Sequence, residues 1–223
     1  MARAGAPKPG AGPTGPRPRT PARRIRDAGR RPLIAVFGSS TIPEDGDRFR
    51  EAEELGRLLA ESGADVVTGG YGGAMAACSR GASVGGGHVV GVTVDLFERR
   101  GPANPWVAER VHTRDLFERL RTIIGRADGF VAVGGSVGTL AEVFLTWNLL
   151  MAGARPAVPL VLMGPQWRGW LEAQRAPGFV LPELFAHVQV ADTPAEAARA
   201  VLDGRAAPAR RRGGPVAEAG AGG

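Results

Sequence analysis

Glu142 is the residue whose setting most asks for a chemical explanation. It ends the stretch Val131-Ala-Val-Gly-Gly-Ser-Val-Gly-Thr-Leu-Ala-Glu142, an apolar strand pattern that runs through Gly134, Gly135 and Gly138 to a helix start at Thr139. Glycines at a strand-to-helix junction let backbone N–H groups approach an anion, and a helix N-terminus adds partial positive charge. A carboxylate beside such a cradle would repel the phosphate. Its place there points to chemistry on a part of a nucleotide that becomes positive during reaction. The simpler reading is a capping box, Thr139-Leu-Ala-Glu142, with the glutamate bonding back to the cap residue's backbone N–H.

Two further clusters fall where strands should end. Gly38-Ser39-Ser40-Thr41 follows one apolar run, and Gly69-Gly70-Tyr71-Gly72-Gly73 follows another. One glycine-rich turn is weak evidence, because turns need glycine anyway. Three of them at strand ends, with Gly38, Ser39, Ser40, Gly69, Gly70, Gly72, Gly73, Gly134, Gly135, Gly138 and Thr139, point to phosphate or nucleotide binding. None is a P-loop, as no Gly-Lys-Ser/Thr follows, and none is a dinucleotide Gly-x-Gly-x-x-Gly with an acidic ribose reader. Triphosphate hydrolysis and hydride transfer lose ground accordingly. Arg119 is the basic candidate near this constellation; its simpler role is an i, i+4 partner of Asp115 on a helix surface.

The elements that must position these residues alternate. Strand patterns cover Leu33–Gly38, Ala64–Thr68, Val89–Val94, Gly129–Val133, Leu160–Met163 and a short run near Val188–Val190. Helical patterns lie between them: the stripe Phe49, Ala52, Leu55, Leu58, Leu59, a small-residue segment to about Val84, Asp115 to about Gly125, Thr139 to about Met151, Trp167–Arg175 and Pro194–Leu202. The segment with Pro102, Pro105 and Trp106 reads as a loop. Strands joined by crossover helices imply a doubly wound α/β domain with a parallel sheet, Rossmann-like, over residues 31–204. Ligands of such sheets bind beyond the carboxyl ends of the strands.

Composition bounds the rest. Of 223 residues 34 are Gly and 18 Pro, and the +6 net charge is uneven. Residues 1–31 hold nine Lys/Arg against one Asp and residues 204–223 four Arg against one Glu, so the middle is mildly acidic. Residues 1–30 and 205–223 lack apolar periodicity and are expected to be disordered tails. A nucleic-acid partner would rest on those tails alone, which carry no interleaved aromatics. No apolar run reaches the ~20 residues of a membrane span, and no secretory signal is evident. The single Cys78 excludes an intrachain disulfide, fits a reducing, cytoplasmic setting, and reads as a buried apolar residue. His88, His112 and His187 lie far apart without acidic or Cys partners at ligand spacing, so no metal is expected, and nothing calls for a cofactor.

The two glycine motifs resemble those of the LOG ("Lonely guy") family, often labelled lysine decarboxylases, over roughly residues 32–203. The family's Pro-Gly-Gly-x-Gly-Thr-x-x-Glu is similar to Val133-Gly-Gly-Ser-Val-Gly-Thr-Leu-Ala-Glu142, with Val for Pro and one extra residue before Gly138. Its Gly-Gly-Gly-x-x-Gly-Leu-Met is similar to Gly69-Gly-Tyr-Gly-Gly-Ala-Met75, one residue shorter. Both departures change loop length at the nucleotide site and mark a divergent branch. The resemblance implies a Rossmann-like homodimer that hydrolyses the N-glycosidic bond of nucleoside 5′-monophosphates, with Glu142 and Arg119 as the catalytic pair. The decarboxylase label fails on chemistry, because a pyridoxal enzyme needs a Schiff-base lysine and the only lysine is Lys8, in the basic N-terminal stretch.

Cleavage of a C1′–N bond passes through an oxocarbenium-like state, which a preorganised carboxylate stabilises. Glu142 takes that role and orients or deprotonates the attacking water; Arg119, too strongly basic to act as an acid, clamps the phosphate or orients Glu142 and the ribose. The glycine turns with Ser39, Ser40 and Thr139 hold the phosphate, and Phe97 and Trp106 are candidates to cover the base. The alternative is a non-catalytic nucleotide sensor or carrier on the same fold. Nucleic-acid handling by the basic tails ranks third.

Overall fold

The computed structural model describes residues 29–175 and 180–206; the expected tails lie outside them but for a residue or two at each edge. Seven strands form one parallel sheet: β1 (Leu33–Phe37), β2 (Asp65–Thr68), β3 (Val89–Val94), β4 (Glu109–Thr113), β5 (Gly129–Ala132), β6 (Leu160–Met163) and β7 (Val188–Ala191), in the order β4-β3-β2-β1-β5-β6-β7. The chain therefore works outward from β1 in one direction, then restarts at β5 on β1's other side. Beyond β1 and β5 lies the switch point, where crossover connections on opposite faces leave a crevice.

Right-handed crossovers then dictate the layers. Helices α1 (Asp47–Glu61), α2 (Ala74–Val84) and α6 (Pro194–Ala206) share a core with Ile34, Val36, Val66, Val131, Val161 and Met163. Helices α3 (Leu116–Arg126), α4 (Val137–Met151) and α5 (Gln166–Arg175) cover the alternate strand residues, among them Ala35, Phe37, Val67, Phe130 and Leu162. Both faces of the central strands are buried, which is why they read as unbroken apolar runs. The expected α1 stripe is buried at Phe49, Ala52, Leu55 and Leu59. At the domain's start Arg31 donates to the carbonyls of Ala60 and Ala64 and pairs with Asp65.

Three expectations change. The loop after β3 contains a 3-10 helix, Asp95–Arg100, and then an edge strand, β4. That strand, Glu109-Arg-Val-His-Thr, has β3 as its only neighbour among the described residues and alternates exposed polar residues, so it carries no apolar run to give it away. Helix α4 starts at Val137, two residues before Thr139. Helix α6 runs to Ala206, past the expected domain end at 204.

Helices α1 and α2 touch backbone to backbone. A Cβ on Gly56 would collide with the Cys78 carbonyl, and one on Gly81 with the Glu53 carbonyl. Arg80 of α2 binds Glu53 of α1 through both Nε and Nη2, tying the same crossing at its rim. Cys78 is fully buried in this seam, and burial pushes its thiol up to about 12. Gly56→Ala should overpack the crossing and destabilise the fold by about 1–3 kcal/mol, read by urea unfolding, whereas an alanine at the open helical Gly125 should not.

Candidate active site

The turns that follow the strands meet at the carboxyl edge of the sheet. Gly38, after β1, lies so close to Val133 and Ala74 that a Cβ there would contact both at 2.6 Å. The Ala74 amide donates to the Ser39 carbonyl at 2.8 Å, joining the second glycine turn to the first. Gly73 has φ +61, and a side chain on it would strike the backbone of Ser39 and Ser40. The Ser39 hydroxyl is engaged with Thr41, at 2.9 Å from its Oγ1 and 3.2 Å from its amide, so it serves the turn itself.

The third turn, Gly134 to Ser136, leads into α4, and Gly135, Ser136, Val137 and Gly138 are exposed. Ser136 is the residue before the helix, and its side chain makes no capping bond. The capping-box expectation is therefore wrong. Thr139 is the third helical residue, buried beneath Gly135, and Glu142 lies a further turn along with its side chain turned inward. With no capping side chain among the described residues, the first N–H groups of α4 keep their donors for an anion.

Glu142 and Arg119 meet under this turn. Arg119 Nη1 lies 3.4 Å from Glu142 Oε1, with both side chains buried at 8% and 12% exposure. The surface pair with Asp115 is not formed. Asp115 caps α3 by accepting from the Glu118 amide, while Arg119 points to the core and donates through Nε to the Val92 carbonyl at 2.8 Å. Gly69 makes this possible, since any Cβ on it would overlap the Arg119 guanidinium. Gly69 thus clears a corridor for Arg119. Gly70 is buried with φ +79 against β3, and Gly72 faces open space near Ser40.

Burial dominates the electrostatics. Desolvation raises the Glu142 carboxyl to about 7, against a lowering by the Arg119 charge and hydrogen bond. The shift exceeds what a surface carboxylate shows, and a group poised near neutrality in a crevice is the kind that transfers protons. Phe97 joins the site: its ring lies 6.0 Å from the Arg119 guanidinium carbon and 5.9 Å from the Tyr71 ring. Trp106 does not. It lies 5.9 Å from the guanidinium carbon of Arg80, on the α1/α2 side of the sheet.

The unforeseen β4 brings His112 to Asp95 and Glu98, acidic partners that the linear spacing concealed. Arg110 occupies that cluster, 3.3 Å from Glu98 Oε1 and 3.2 Å from His112 Nδ1, which makes it an exposed ion-pair network. A period-2 alternation over residues 109–113 was the one signal that could have found it.

The SLOG cluster4 family matches residues 31–152, more than half the chain. The chain belongs to that family. Among SLOG/LOG relatives, cytokinin riboside 5′-monophosphate phosphoribohydrolase of Mycobacterium tuberculosis is 30% identical over 75% of this chain and 91% of its own length. Pyrimidine/purine nucleotide 5′-monophosphate nucleosidase of Escherichia coli K12 is 29% identical over 60% of this chain, which spans 31% of that longer protein. The molybdenum cofactor carrier protein of Chlamydomonas reinhardtii superposes with a TM-score of 0.62 at 28% identity, covering 80% of this chain and all of that one. No helix among the described residues is long and apolar enough to cross a membrane.

The titration of Glu142 is directly measurable. Carbon-detected NMR of labelled glutamate should find one carboxyl with a midpoint near 7 in the intact chain. In Arg119→Gln the midpoint should move up, because a neighbouring positive charge that favours the ionised form is gone.

Proposed function

We propose that this SLOG protein hydrolyses the N-glycosidic bond of a nucleoside 5′-monophosphate, releasing free base and ribose 5-phosphate. The observation that carries the reading is the buried Arg119–Glu142 pair beneath an uncapped, glycine-rich helix start. Hydrolase names among relatives at about 30% identity support it. The exposed α4 N-terminus takes the 5′-phosphate, with the Ser39–Ser40 and Gly72–Gly73 turns beside it. Glu142 in its ionised form faces C1′ of the ribose.

As the C1′–N bond breaks, its electron pair leaves with the base, which takes a proton from solvent. Positive charge develops on C1′ and the ring oxygen, and the largely buried Glu142 carboxylate stabilises it. Water adds to C1′ and gives its proton to Glu142. Arg119, anchored on the Val92 carbonyl, fixes the carboxylate's position and favours its ionised form.

A second reading, a non-catalytic carrier of a phosphate-bearing ligand, is favoured by the Chlamydomonas carrier's match over its whole length. The two separate cleanly. Glu142→Gln keeps shape and removes charge, so under the hydrolase reading it should bind AMP normally and lower kcat by roughly 10²–10³. Wild-type kcat should also fall as pH drops below about 7, because protonation removes the charge that does the work. Return of intact ligand from every monophosphate tested would give the carrier reading instead.

The functional unit in this proposal is a homodimer built on α4. Val137, Phe144, Leu145 and Met151 recur at i, i+7, i+8 and i+14 along that helix and are exposed. Such a stripe of large apolar side chains left in the open is the mark of a partner face. Leu145→Asp should convert a dimer to a monomer in size-exclusion chromatography with light scattering while leaving the circular dichroism spectrum unchanged.

A further inference from the structure

A cavity of about 160 Å³ opens at the switch point on the α1 side of the sheet edge, beside Gly134. Its lining includes Ile42, Arg48, Glu51, Val133, Pro165 and Gln166. A cavity of about 150 Å³ takes one benzene ring, so the space matches one flat heterocycle rather than a whole nucleotide. The apolar members suit ring faces, and the three polar side chains offer donors and an acceptor to a ring edge.

The charges here are open. Arg48 and Glu51 stand one turn apart on α1, at i and i+3. Elsewhere in the chain Arg50 pairs with Asp47, Arg57 with Glu54 and Arg175 with Glu172 at that same spacing. Arg48 and Glu51 form no ion pair with each other or with any other described residue. Gln166, at the start of α5, makes only a long 3.4 Å contact to the Met163 carbonyl, which leaves its amide available. Gly134 keeps the space clear: a Cβ there would come 2.9 Å from Gln166 Nε2 and 3.8 Å from Arg48.

We propose that this cavity is the ring subsite of the protein's ligand and selects a heterocycle with a 2-amino-4-oxo pyrimidine edge. Such an edge presents a carbonyl oxygen flanked by a ring nitrogen, then a ring N–H and an exocyclic amine. Arg48 and Gln166 donate to the oxygen and nitrogen, the pairing that arginine makes with guanine O6 and N7. Glu51 accepts from the N–H and the amine, with the two-oxygen geometry a carboxylate offers to parallel donors. Adenine reverses the pattern, setting its amine against the guanidinium. The edge is shared by guanine and by the pterin ring, and a phosphate carried on either would reach the adjoining Gly134–Gly138 turn.

The proposal rests on the phosphate-cradle part of the reading above but not on turnover, and binding tests it separately. Calorimetry on the full-length protein compares GMP, IMP and AMP, with free base followed by chromatography on the same samples. IMP lacks only the amine that Glu51 would accept. GMP should bind about 10-fold more tightly than IMP, the scale of a hydrogen bond to a charged group, and AMP more weakly than both. Glu51→Gln should close the gap between GMP and IMP while sparing IMP, and Arg48→Ala should weaken both alike. Neither variant should change the melting temperature, as neither residue is buried.

A 6-hydroxymethylpterin arm separates the two sources. Tighter binding of the pterin than of guanosine, with the same loss in Glu51→Gln, assigns the subsite to pterins; the reverse order assigns it to guanine. Equal affinity for GMP, IMP and AMP overturns the proposal and leaves the phosphate cradle standing. If no monophosphate binds, the cradle falls, and the pterin arm alone decides the subsite: binding lost in Glu51→Gln upholds it, and no binding removes it.

Discussion

A buried carboxylate and a buried guanidinium 3.4 Å apart set the terms for everything around them. Removing two charges from water costs several kcal/mol per ion, and their mutual attraction rarely repays it in full. The surrounding structure supplies what is missing. The Val92 carbonyl satisfies Arg119 Nε from within β3, Gly69 gives up its side chain to admit the guanidinium, and Phe97 closes over it. Five elements from both halves of the sheet are thus committed to one ion pair. A pair maintained at that cost, with the carboxyl held near neutrality, makes sense as a working group more than as a stabilising one.

The sheet order explains why those elements meet at all. Because the chain returns from β4 to β5 across β1, α3 and α4 become neighbours on one face although they arise from different halves of the fold. Arg119 on α3 and Glu142 on α4 are 23 residues apart in sequence and in contact in space. The same reversal opens the crevice at Gly38 and Val133. Glycine turns fill that crevice with backbone and little else, so a ligand meets amides at short range.

How much of this the residues reveal by themselves depends on whether the signal is local. The buried strands show as continuous apolar runs because both of their faces are covered, and α1 shows as a stripe because only one of its faces is. Strand β4 is hidden because an edge strand with charged side chains looks like a loop. Thr139 and Glu142 have the spacing of a capping box, yet the helix begins earlier, and the glutamate's inward turn depends on Arg119, which no spacing discloses. Arg119 has the same ambiguity in reverse: Asp115 stands at i−4 but is engaged in capping α3. In both cases a local partner was available and a tertiary one prevailed, since burial beneath a helix rewards a charged contact more than solvent does.

Cys78 lies where α1 and α2 meet backbone to backbone, its carbonyl against Gly56 and its thiol held almost wholly protonated. Thiolate, not thiol, reacts with alkylating agents, and here both proton and burial withhold it. The only cysteine of the chain is therefore silent in the native state and becomes reactive when the helical seam parts. A single unmodified residue becomes a built-in clock for local opening, read by mass after a timed pulse of iodoacetamide.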